Sequence, residues 1–207
     1  MKKYIILVIM SLIIANLFIY ATTSYAPIAD KYRYSTMKLG ENLNENFGEI
    51  TSEVEINQSF VAKYNNLSGL AIFVSTFNRS NTGETTVNIL DEKSNVLRTV
   101  ELENSDLNDN EYTEIKFTPI EGTKNKVLFI NVSSGSAVGN NAITMWKDFR
   151  QSPNTKLSVN NEFVDGTLVG NTIYENKIDM SSRIIINFVV FLLNFLTLGL
   201  FRFLRKR

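Results

Sequence analysis

The sequence contains no cysteine and no histidine. Those two absences exclude a thiol nucleophile, a disulfide framework, a histidine-based triad, and zinc or haem held by Cys or His. The lack of cysteine fits either redox compartment and so does not locate the protein. Net charge is also missing, because 21 Lys and Arg balance 21 Asp and Glu. A chain whose main partner is nucleic acid needs a basic surplus to meet phosphates, so nucleic acid is excluded as that partner. There is no phosphate-cradling glycine loop, nucleotide fingerprint, internal repeat or heptad run.

The charges present are unevenly spread. All 21 acidic residues lie within residues 22–182, which hold 14 of the 21 basic ones, a net charge of −7 for that stretch. The remaining basic residues cluster at the ends, as Lys2 and Lys3, then Arg183, Arg202, Arg205, Lys206 and Arg207. Between these clusters and the acidic middle lie two uncharged apolar runs, Tyr4–Tyr20 and Ile184–Phe201. Lys and Arg gather on the cytoplasmic side of membrane spans, so the pattern predicts a two-pass protein of the cytoplasmic membrane with both termini inside. The expected division is a cytoplasmic start (1–3), a signal-anchor helix (4–21), a juxtamembrane connector (22–49), an extracytoplasmic sandwich (50–176), a connector (177–183), a second span (184–203) and a basic tail (204–207). A cleaved signal ending at Ser24-Tyr25-Ala26 is the rival reading, and Pro27 directly after that site disfavours it. Asn187 and Asn194 are seven residues apart, hence on one helix face. Their amides predict contact with another helix, with Asn16 as partner, against mere tolerance in an Asn-rich chain.

From Ile50 onward the pattern has period two, with turn signals every ten residues or so, which predicts an all-β antiparallel sandwich. The expected strands are Glu53–Ala62, Leu70–Phe77, Glu84–Leu90, Val96–Leu102, Tyr112–Phe117, Lys126–Ser133, Ala142–Trp146 and Lys156–Phe163. Alternation turns Ile72, Val74, Val87, Ile89, Ile115, Phe117, Leu128, Ile130 and Val132 inward. It turns Ser75, Asn88, Thr99, Glu114, Lys116 and Asn131 outward. Eight or so strands in about 120 residues suit two packed sheets of the jelly-roll kind.

Several blocks in order carry a family resemblance. They are Gln58-Ser59-Phe60-Val61-Ala62, Asn66-Leu67-Ser68-Gly69-Leu70, Thr76-Phe77-Asn78-Arg79-Ser80-Asn81-Thr82-Gly83, Asp109-Asn110, Phe117-Thr118-Pro119-Ile120 and Ala142-Ile143-Thr144-Met145-Trp146. With these blocks the middle resembles the jelly-roll, carbohydrate-binding-module-like extracytoplasmic domain of bacterial membrane glycosyltransferases and related polysaccharide proteins. The chain lacks a catalytic glycosyltransferase segment, so the resemblance implies an accessory or recognition role.

Candidate site residues follow from side-chain chemistry. Trp146 is the single tryptophan; it either stacks a pyranose or fills the core, and Tyr112 and Phe77 carry the same pair of readings. Arg79 offers a planar fork of donors to a sugar hydroxyl, carboxylate or phosphate, beside Asn81, or else bridges to a neighbouring loop. Asp106, Asn108 and Asp109 gather oxygens as a calcium site requires, without the glycine and glutamate of an EF-hand, or else cap their own backbone. Four N-x-[ST] sequons, at Asn57, Asn66, Asn78 and Asn131, match what chance yields in so Asn-rich a chain. Paired carboxylates such as Glu53/Glu55 are expected on solvated faces of an acidic domain.

The function these features predict is a non-catalytic, membrane-anchored module that binds a cell-surface glycan or lipid-linked saccharide, with calcium as the one cofactor to consider. The alternative is a structural or assembly subunit whose sandwich contacts an envelope protein and whose helices dock on a polytopic membrane partner. A third reading is a detached front end of a larger glycosyltransferase.

Overall fold

The computed structural model of the protein describes residues 2–24, 34–135, 137–150, 155–176, 184–194 and 196. The chain forms two compact units, residues 1–34 with 176–207, and Ser35–Glu175.

The second unit is an antiparallel β-sandwich. Its strands are β1 (Tyr34–Gly40), β2 (Glu45–Asn46), β3 (Glu55–Val61), β4 (Leu67–Ser75), β5 (Glu84–Leu90), β6 (Val96–Glu103), β7 (Glu111–Ile120), β8 (Val127–Ser134), β9 (Thr144–Asp148), β10 (Leu157–Val159), β11 (Glu162–Val164), β12 (Thr167–Leu168) and β13 (Gly170–Glu175). One sheet runs β11-β10-β3-β8-β5-β6, and the other runs β1-β13-β4-β9-β12 with β7 beside β4 and β2 beside β9.

The core forms because alternate residues of both sheets point at each other. Ile72, Val74, Val87, Ile89, Ile115, Leu128, Ile130 and Val132 are all buried, and Phe117 packs partly buried against them. Each aliphatic side chain so enclosed contributes on the order of 1.5–3 kcal/mol. Gln58 is a polar member of the inward face: its Nε2 donates to the Ser59 and Lys156 carbonyls, and its Oε1 accepts from Leu168 N at 3.0 Å. That last bond ties β3 of one sheet to β12 of the other.

The strand expectations hold closely for β3 to β9, and three differences have physical causes. The run Lys156–Phe163 is a hairpin, not one strand, because Asn160 and Asn161 adopt left-handed angles (φ 50° and 67°) and reverse the chain. The expected connector 22–49 contains β1 and β2, with Leu39 buried and Met37 and Phe47 packed on the core. β13 was not expected at all. Its inward residues are Gly170, Thr172 and Tyr174, and only the last gives an apolar signal. A Cβ at Gly170 would meet the Ala71 carbonyl at 2.7 Å, so close approach explains the glycine.

In the other unit, helix α1 (Lys2–Ser24) pairs with a helix over residues 184–194, here α2. Asn16 Nδ2 donates to Asn187 Oδ1 at 2.8 Å and Asn194 Nδ2 to Ser11 Oγ at 2.5 Å, which fixes the two as antiparallel. Each Asn also returns a bond to its own helix, at Leu12 O and Val190 O. The flanking transmembrane helices expected from the sequence are not supported, because among the described residues no helix is long and apolar enough to cross a membrane. The two-pass location in the cytoplasmic membrane, the membrane-embedded state and the polytopic membrane partner lose their support with it. The cleavage site near Ala26, the connector 177–183 and the tail 204–207 lie outside the described residues.

Candidate functional site

The solvent face of the seven-stranded sheet is set by the same alternation that builds the core. On β4 the inward residues are Leu70, Ile72 and Val74, so Ala71, Phe73 and Ser75 face the other way. Their β7 neighbours in register are Glu114 beside Ala71 and Tyr112 beside Phe73, with Lys116 beside Gly69. Tyr112 is 48% exposed, and its ring meets Phe73 edge to face with centroids 5.2 Å apart. The T-shaped contact restricts the tyrosine ring while about half of the residue stays open to solvent.

Two polar clusters flank this face. In the first, Asp148 at the end of β9 is buried, and its carboxylate accepts from Arg150 Nη2 at 2.9 Å and from the backbone N–H groups of Glu41, Asn42 and Arg150. The Arg150 guanidinium, with those backbone donors, holds the Asp148 carboxyl well below the usual carboxylate range. Arg150 also reaches Glu41, which pairs with Lys38, so the charges run Asp148–Arg150–Glu41–Lys38. Hydrogen bonding to Glu41 raises the Lys38 ammonium, which feels Tyr112 as well.

The second cluster gathers the loops after β4 and before β7. Asp109 Oδ1 accepts from Ser75 Oγ at 2.8 Å, Thr76 N at 2.6 Å and Thr76 Oγ1 at 3.2 Å, which lowers its carboxyl pKa, the serine hydroxyl most of all. Asn81 is fully buried and donates to the Thr76 carbonyl. Arg79 donates to Asn81 Oδ1, to the Ala142 carbonyl and to Glu49, and lies over the Phe77 ring at 4.9 Å. Phe77 and Asn78 both take left-handed angles (φ 58° and 53°), which turns the chain between β4 and Arg79.

Each residue singled out from sequence thus has a defined place. Tyr112 presents its ring to solvent. Arg79 and Asn81 spend their polar groups on the loop cluster, as the bridging alternative for Arg79 describes. Trp146 faces away from its core neighbour Met145, is partly buried, and carries a buried Nε1 with no acceptor among the described residues. Asp106 lies in a 3-10 turn (Asn104–Asp106), Asn108 donates to Glu111, and Asp109 is committed to Ser75 and Thr76. Among the described residues no three acidic side chains converge on a point that would hold a cation. Phe73 was missed from sequence; its place between Ile72 and Val74 already assigned it to the outward face, where an apolar ring needs a reason.

A separate cleft of about 580 Å³ lies where the β5–β6 turn approaches the β7–β8 turn, with Leu97 and Ile120 inside and Asp91, Glu92, Lys93, Glu121 and Lys126 around it. Asp91 there is occupied by Lys93 N and by Asn95, the Asn95 side chain first among the bonds that lower its pKa.

No family model matches the chain, and no curated protein matches it. Among solved structures, it is similar to the enzymatically active domain of tailspike protein 4 of bacteriophage CBA120, at 11% identity and a TM-score of 0.32. That match covers 64% of this chain and 19% of the tailspike chain. It is also similar to an active-site mutant of a family two carbohydrate esterase from Clostridium thermocellum in complex with celluohexase, at 9% identity and a TM-score of 0.27. There the match covers 69% of this chain and 34% of the esterase chain. The chain therefore spans about a fifth and a third of those two proteins. At such scores the likeness carries no argument about function, and the fold rests on the sheets themselves.

Proposed function

We propose that the sandwich is a non-catalytic saccharide-binding module, serving an enzyme that builds or processes a cell-surface glycan or lipid-linked saccharide. The observation that carries this reading is the Tyr112 ring, 48% exposed on a sheet face and braced edge-on by Phe73. A pyranose presents a face of C–H groups that fits a π surface, and a ring already fixed in place loses little entropy on binding. Glu114 and Lys116 on the same strand, with Lys38 nearby, supply acceptors and donors for the hydroxyl rim. The non-catalytic part rests on a sequence without histidine or cysteine; Asp109 and Asp148, bonded to several donors and held ionised, do not suit the role of general acid, which needs a raised pKa.

The test is titration of the full chain with soluble envelope polysaccharides, with and without calcium, using the wild type, Tyr112→Ala and Tyr112→Phe. Saturable binding that weakens roughly tenfold in Tyr112→Ala and survives in Tyr112→Phe is expected for stacking. Equal binding by all three removes Tyr112 from the site, and no binding by the wild type removes the reading.

A further inference from the structure

The other sheet of the sandwich carries a feature that the aromatic reading does not use. In the six-stranded sheet one residue from every strand falls into a single line across the strands. Phe163 of β11 stands opposite Ser158 of β10, Ser158 opposite Asn57 of β3, Asn57 opposite Asn131 of β8, Asn131 opposite Asn88 of β5, and Asn88 opposite Thr99 of β6. Five inter-strand steps of about 4.8 Å make a row roughly 24 Å long. The row lies on the solvent side, since the neighbours of Asn57, Ile56 and Gln58, and of Asn131, Ile130 and Val132, point inward.

Four of its six members are joined in one direction. Thr99 Oγ1 donates to Asn88 Oδ1 at 2.7 Å, Asn88 Nδ2 to Asn131 Oδ1 at 3.2 Å, and Asn131 Nδ2 to Asn57 Oδ1 at 2.8 Å. A carboxamide has two N–H donors and two acceptor sites. Asn88 therefore keeps one of each unused, and the Asn57 NH2 group makes no hydrogen bond among the described residues. At the far end Phe163 is 76% exposed, with Lys156 Nζ 5.7 Å from its ring centre. A cleft of about 300 Å³ opens beside that ring, bounded also by Lys156 and Asp165.

We propose that this row is a second ligand-binding face and that it takes an extended, uncharged polyhydroxylated chain, a linear neutral oligosaccharide lying across the strands. No member of the row is itself charged, and the one carboxylate bonded to it, Glu55, already accepts from Asn131 Nδ2. Each hydroxyl both donates and accepts, which matches the spare donor and acceptor of Asn88 and the free NH2 group of Asn57, two strands away; Asn131 between them is buried and spends both N–H groups on Asn57 and Glu55. The ordered direction of the amide chain polarises its free end, Asn57, as a donor. Phe163 ends the row as a stacking surface for one sugar ring, with the cleft beside it giving that ring an edge. The inference shares its ligand class with the saccharide-binding reading and rests on it for that class, but the face and the residues are different.

The experiment is calorimetric titration of the full chain with neutral linear hexasaccharides (cellohexaose, mannohexaose and chitohexaose), using the wild type, Phe163→Ala, Asn88→Ala and Tyr112→Ala. Phe163 is so exposed that its truncation leaves the fold intact, which an unchanged melting curve will verify. Binding that falls roughly tenfold in Phe163→Ala and in Asn88→Ala, yet persists in Tyr112→Ala, is the expected result. Loss of binding in Tyr112→Ala alone overturns this inference and leaves the Tyr112 reading standing. A wild type that binds none of the three hexasaccharides overturns the inference, and the polysaccharide titration then decides the Tyr112 reading separately. A wild type that instead self-associates, and becomes monomeric in Phe163→Ala, overturns it in favour of a second copy of the chain as the occupant.

Discussion

Asp148 has both carboxylate oxygens occupied by the Arg150 side chain and three backbone N–H groups. These bonds place the segment after β1 against the end of β9, so the side chain works as a bracket. Replacing it by Asn halves its acceptors and removes the charge, and a cost of about 1–3 kcal/mol is expected in denaturant unfolding. The pH dependence has a definite sign. Folding lowers the Asp148 pKa below the ordinary 3.8, so its stabilisation is complete above about pH 4 and is lost as pH falls further. The wild type will therefore lose stability between about pH 4 and pH 2 more steeply than Asp148→Asn, and parallel acid titrations of the two would contradict this. Gln58 makes a second residue-level case. Gln58→Leu leaves the buried Leu168 N–H without its acceptor and is expected to cost about 1–3 kcal/mol, measured the same way.

At the scale of single elements, the β10–β11 hairpin depends on a two-residue reversal. Asn161 sits at φ 67°, where asparagine is tolerated and a β-branched residue is not. Asn161→Val is expected to destabilise by about 1–2 kcal/mol and Asn161→Gly to leave stability unchanged or slightly higher. Because Phe163 stands two residues beyond this turn, the valine variant also moves the exposed ring. In the helical unit, Asn16 and Asn187 share one hydrogen bond, and a double-mutant cycle with Leu at both sites is expected to show a coupling of about 1 kcal/mol. That pairing was legible in the sequence, because an amide inside an apolar run has few other partners. The strand β5 was legible to the residue, since Thr85, Val87 and Ile89 alternate cleanly with polar neighbours. β13 was not, because Gly170 and Thr172 carry no apolar signal and owe their inward place to β4 beside them. β2 and β12, two residues each, are too short for any periodicity to register.

For the whole molecule, two sheets close on one core of alternating aliphatic side chains, and sequence periodicity was sufficient to state that architecture. The membrane-spanning reading failed at the same scale: charge asymmetry marked the ends, but among the described residues no helix is long and apolar enough to cross a membrane. The candidate binding residues divided for a related reason. Alternation tells which side of a sheet a residue occupies, so Asn88 and Thr99 were assigned outward correctly, whereas Tyr112 was left between stacking and core, and Asn131, on the outward side, is covered by its neighbours. It does not tell which residues of different strands stand side by side. The row from Phe163 to Thr99 depends on the register of six strands and on a hairpin that read as one strand, and no spacing along the chain reveals it. The loop cluster around Arg79, Asn81 and Asp109 joins segments about thirty residues apart for the same reason.

The central claim is that this sandwich binds saccharide, and the titration of the full wild-type chain with the polysaccharide and neutral hexasaccharide panel tests it most directly. Saturable binding that weakens in Tyr112→Ala or in Phe163→Ala, with the melting curve unchanged, is the predicted result. Absence of binding to every member of the panel would contradict the account.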